Sequence, residues 1–119
     1  MIQIKRIFIF VILMLATTSA FAQKNAVEIY IGGIGPAVDA AAFETVKQVI
    51  GHAVGNGIVD KFIVTGYGIE GGFSACAQAS GRTKGFGLFV KQLRAIKPNP
   101  ETTGYSVNAV DACIDYAPQ

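Results

Sequence analysis

The chain has 119 residues, ten Lys and Arg against eight Asp and Glu, a formal net charge of +2, and two cysteines and one histidine. That length makes one domain, the small charge gives no electrostatic basis for holding nucleic acid or an anionic membrane, and the Cys/His count is too low for a structural zinc site. Composition alone therefore removes three function classes before any motif is read.

The chain opens with Lys5 and Arg6, an apolar run at residues 7–16 (IFIFVILMLA) and a stretch ending AFA at residues 20–22. A basic start, a short apolar core and a small-x-small end are the marks of a cleavable export signal. Ten apolar residues span only about 15 Å as a helix, half of a bilayer core, so they do not read as a membrane anchor. Residues 1–22 are thus expected to leave, and residues 23–119 to form the single mature domain, exported to the periplasm or beyond and free of the membrane after cleavage. Removal of Lys5 and Arg6 leaves eight basic and eight acidic residues, so the mature chain is formally neutral.

Residues 26–34 (AVEIYIGGI) alternate, with Val27, Ile29 and Ile31 on one face, which predicts a half-buried strand. Gly32, Gly33, Gly35 and Pro36 end it, with Pro36 suited to the first turn of a helix. Phe43, Val46, Ile50 and Val54 then recur at helical spacing, and Gly55, Asn56 and Gly57 stop that helix. Residues 58–65 (IVDKFIVT) read as a second strand. Residues 66–72 form a glycine-dense bend, and residues 73–79 (FSACAQA) a third strand with Phe73, Ala75, Ala77 and Ala79 on one face and Cys76 on the other. After a polar loop with Arg82 and Lys84, the residues Phe86, Phe89, Val90, Leu93 and Ile96 make a second helical stripe, ended by Pro98 and Pro100. Residues 105–113 (YSVNAVDAC) alternate again, with Tyr105, Val107 and Ala109 inward.

The order β-α-β-β-α-β predicts an α+β domain, a ferredoxin-like plait with two helices on one face of a four-stranded antiparallel sheet in the order 4-1-3-2. Export to an oxidising compartment makes Cys76 and Cys113 the expected disulfide. The topology resists it: third and fourth strands lie on either side of the first, about 9–10 Å apart, beyond the reach of a disulfide. Either Cys113 lies past the end of its strand and bends inward, or a bulge changes the register, or the fold differs.

No motif builds a catalytic centre. The GYGIEG run at residues 66–71 has the dinucleotide spacing but leads into an alternating strand, whereas that chemistry needs the glycines to open a helix. Ser74 sits in a partial nucleophile elbow that lacks the final glycine and the helix, with His52 as its only histidine. Cys76 has a disulfide partner and no adjacent base. No catalytic residue, metal ligand or cofactor is expected.

Two surfaces remain. Tyr67, Ile69, Glu70 and Phe73 gather in and around the bend, where aromatic and aliphatic side chains serve as anchors for a protein partner or fold back over the sheet end. Gly33 and Gly35, at the strand-to-helix corner of residues 32–36, offer backbone N–H groups that Arg82 or Lys84 could reinforce as an anion site. The leading expectation is a small exported, non-catalytic protein that acts on another protein through the bend, as an inhibitor or immunity-type factor does. The alternatives are a periplasmic binder of a small molecule or anion at the 32–36 corner, and a structural subunit that pairs through an edge strand.

Overall fold

The computed structural model describes residues 24–114, so the expected export signal lies outside the described residues. Six elements follow one another: β1 (Ala26–Gly33), α1 (Ala40–Gly55), β2 (Val59–Tyr67), β3 (Gly72–Ala79), α2 (Phe86–Ala95) and β4 (Thr103–Val110). The fold is α+β, and all three strand pairings are antiparallel. The sheet order β2-β3-β1-β4, read from the other edge, is the 4-1-3-2 order expected from the sequence.

The alternation of the strands decides which face meets the helices. Val27, Ile29 and Ile31 of β1 pair across the sheet with Ala77, Ala75 and Phe73 of β3. These side chains are buried with Val46, Ile50 and Ala53 of α1 and Phe89 and Leu93 of α2, in one core. The small alanines of β3 let the helices approach closely, and Phe73 fills the remaining volume between Phe43 and Phe62, at ring-centroid distances of 5.7 and 6.2 Å.

The larger boundary shifts from the sequence expectation fall in three elements. The first helix begins at Ala40 rather than at Pro36, because Asp39 caps it: the Asp39 carboxylate accepts the Ala42 N–H at 3.2 Å. β2 continues to Tyr67, which reduces the bend to residues 68–71. β4 starts at Thr103 and ends at Val110, so Cys113 lies beyond it.

That last shift resolves the disulfide. Cys76 is bonded to Cys113, with their Cα atoms 5.7 Å apart. Cys76 points to the sheet face opposite the helices, out of phase with Ala75 and Ala77, and faces Glu28 of β1 in register. Residues 111–114 leave β4 and cross that open face as a strap, and the Cys113 N–H donates to Gln78 Oε1 at 3.0 Å. The strap passes over β1, so the spacing between β3 and β4 within the sheet no longer limits the bond. Ala26, Cys76 and Cys113 form a second small core here, with Ile63 and Val110 against it.

Candidate functional site

The bend between β2 and β3 is held from below. Gly71 N–H donates to the Gly68 carbonyl and Gly68 N–H to the Gly72 carbonyl, both at 3.2 Å, which closes the turn on itself. The carbonyls of Gly71 and Glu70 then accept from Gly33 N–H at 3.2 Å and Val38 N–H at 3.0 Å. The two glycine-rich stretches that the sequence presents as separate motifs are thus docked on each other. Glycine is required at the contact: Gly72 has φ +102°, and a Cβ there would lie 2.0 Å from the Ile31 carbonyl oxygen.

Above this base the apolar side chains point outward. Tyr67 is 83% exposed and Ile69 103%. Glu70 is exposed beside them, with its backbone engaged at the corner. Phe73, expected among the partner-binding residues, is instead 7% exposed and belongs to the core, because it falls on the helix-facing side of β3. The sequence left open whether the bend folds over the sheet end; its backbone does so, and its two largest apolar side chains do not.

Tyr67 also borders an apolar groove of about 530 Å³ between α1 and the outer strand β2, lined by Phe43, Val54, Phe62 and Val64. Val54 and Val64 are themselves 45% and 36% exposed. Lys47 lies over the Phe43 ring, 4.5 Å from its centroid, and pairs with Glu44 at 2.6 Å, so its charge is occupied at the groove rim.

The expected anion site is not assembled. Gly33 N–H and Val38 N–H are bonded to the bend, and Asp39 sits at the start of α1, where its carboxylate also accepts from Asn99 N–H at 3.0 Å. These bonds to its carboxylate hold the Asp39 carboxyl below the usual aspartate range. A bound anion would meet that negative charge, with the N–H groups of Gly33, Ile34 and Val38 already used. Arg82 and Lys84 lie at the other end of the sheet: the register runs from Gly32 opposite Gly72 to Ala26 opposite Gln78, and their loop follows Ala79. The length of β3 alone, about 25 Å, separates the two halves.

Ser74 and His52 are also kept apart. Ser74 is in register with Tyr30 on the open face, whereas His52 is in the last turn of α1, which packs on the opposite face. The open face carries something the sequence reading overlooked: a cleft of about 250 Å³ under the strap, lined by Glu28, Tyr30, Ser74, Ser106, Asn108 and Ile114. Period-two alternation in β1, β3 and β4 places these polar residues together once the order of strands is known. Among the described residues no three His, Cys, Asp or Glu side chains are grouped as metal ligands are, and no helix is long and apolar enough to cross a membrane.

The chain matches no protein-family model, no curated protein and no solved structure.

Proposed function

We propose that this is an exported, non-catalytic binding protein that acts on another protein through the β2–β3 bend, in the manner of an inhibitor or immunity-type factor. The observation that carries this reading is a hydrogen-bonded backbone beneath two exposed apolar anchors: four hydrogen bonds hold residues 68–71, while Tyr67 and Ile69 are 83% and 103% exposed. An ordered loop loses little conformational freedom on binding, which favours affinity, and large amphipathic side chains are typical anchors of such contacts. The partner is a protein with an apolar cleft that receives Ile69 and Tyr67, while its rim meets Val64 and Val54 along the groove. Export is supported by the basic-apolar-small pattern of residues 1–22 and by the Cys76–Cys113 disulfide, which persists in oxidising compartments.

A photo-crosslinking residue placed at position 69, in cells that export the full chain, tests the reading. The expected result is a discrete protein adduct, absent with the probe at exposed Gln48 and lost when Tyr67→Ala is added. Equal adducts from both positions, or none from position 69, would refute it. The mass of the secreted chain checks the export step: it is expected to begin at Gln23.

A further inference from the structure

The neutrality of the mature chain hides a segregation of charge. Residues 71–100 contain Arg82, Lys84, Lys91, Arg94 and Lys97 and no carboxylate. Folding brings three of these together with Lys24 beside β4. A cleft of about 320 Å³ is lined by Phe86, Val90 and Ala109 between Lys24, Lys91 and Arg94. A second, of about 490 Å³, shares Arg94 and continues past Ile96, Tyr105 and Val107 to Lys97. Together they form an apolar trough along the outer strand β4, with cations on its rim. No described carboxylate lines either cleft, and none of the four cations has an ion-pair partner among the described residues. Glu101 and Asp111 lie just beyond the two ends of β4.

The two outer strands differ in regularity. β2 meets β3 with register shifts between Val59 and Lys61 and between Val64 and Gly66. Such irregularities disturb an edge and discourage a further strand. β4 pairs with β1 through an unbroken register from Ala26 opposite Val110 to Gly33 opposite Thr103. No described residue pairs with the other side of β4, which leaves a regular row of backbone donors and acceptors beside the trough.

We propose that the outer edge of β4 binds an extended, acidic peptide segment of another protein as an added strand. Its backbone pairs with β4, its apolar side chains enter the trough against Phe86, Val90 and Val107, and its carboxylates meet Lys91, Arg94 and Lys97. Charge selects this occupant over a second copy of the chain, because pairing β4 with β4 would set two such cationic rims against each other. The surface is distinct from the β2–β3 bend, which lies with β2 at the opposite edge of the sheet.

The test uses the mature protein and a fluorescein-labelled peptide, (Glu-Ser-Val-Ser)3, which puts Glu and Val on the same face of an added strand, with (Lys-Ser-Val-Ser)3 as the charge-reversed control. The acidic peptide is expected to bind, and to weaken by about tenfold or more both in about 0.5 M salt and in the exposed double variant Lys91→Glu/Arg94→Glu. Amide shifts in a nuclear magnetic resonance titration are expected to concentrate in residues 103–110. Absence of binding, equal binding of (Lys-Ser-Val-Ser)3, an unaffected double variant, or shifts confined to residues 59–67 would each overturn the proposal. Binding to phosphatidylglycerol vesicles that the acidic peptide does not displace would assign the cationic face to lipid and overturn it as well. A Tyr67→Ala/Ile69→Ala variant is expected to bind the peptide normally, which separates this surface from the bend.

Discussion

Replacing both cysteines, as Cys76→Ala/Cys113→Ala, isolates the contribution of the disulfide without leaving a free thiol. The bond joins residues 37 apart, and loop-closure entropy assigns a bridge of that span about 4 kcal/mol, through restriction of the unfolded chain. Domains of this size have an unfolding entropy of about 0.2 kcal/mol/K near their midpoint, so the loss corresponds to a fall in Tm of about 20 °C. The native fold is expected to survive, because the bridge fastens a strap on the open face while the main core lies between the sheet and the helices. Urea unfolding followed by far-ultraviolet circular dichroism, without reductant so that the wild type remains oxidised, measures the effect. The expected outcome is an unchanged native spectrum, a lower midpoint and a somewhat larger m-value, since the unfolded chain expands without its cross-link. A stability loss below about 1 kcal/mol, the ordinary size of a point-substitution effect, would refute the reasoning and mean that the strap adds its constraint to the native state at comparable strain.

The remaining predictions concern single positions. Gly72→Ala sets a Cβ 2.0 Å from the Ile31 carbonyl oxygen at φ +102°, and is expected to reduce soluble, folded protein sharply; Gly51→Ala, in mid-helix with nothing within 4 Å of the added Cβ, is expected to raise stability by about 0.5–1 kcal/mol in the same urea assay. Asp39 has a carboxyl held below the usual aspartate range by backbone N–H bonds, so its contribution is present above that range and is lost as pH falls through the depressed value; stability measured from neutral to acid pH is expected to decline less steeply in Asp39→Asn than in the wild type. The Tyr105 hydroxyl donates to the Leu93 carbonyl at the end of α2, and burial pushes its phenol up to about 12. A raised value favours the folded state at neutral pH and withdraws that support as pH rises from the unfolded value of about 10 through 12. Tyr105→Phe is expected to lose about 1 kcal/mol at neutral pH and to flatten this alkaline decline, read by urea unfolding across that range.

Local patterns in the chain sufficed for the element order, because strands and helices repeat at two and 3.6 residues and the glycine and proline clusters punctuate them. Val27, Ile29 and Ile31 announced the buried face of β1; Phe43, Val46 and Ile50 that of α1; and the pairing of six such elements left one economical topology. The fate of Phe73 was also legible from its phase with Ala75 and Ala77, yet its nearness to the bend in sequence suggested exposure, and burial in the core prevailed. Other features were decided only in three dimensions. The disulfide depends on where β4 ends and on a strap crossing the open face, neither of which alternation encodes. The corner of residues 32–36 does not gather an anion site because distant segments take the N–H groups of Gly33 and Ile34, and Arg82 and Lys84 lie at the other end of the sheet. The cationic rim beside β4 was invisible to a formal net charge of only +2, since a sum over the chain is blind to position and only folding gathers Lys24, Lys91, Arg94 and Lys97 along one edge. Periodicity is a local property and survives in the sequence; contacts between distant segments are set by the closure of the sheet, and the surfaces available to a partner are set there too.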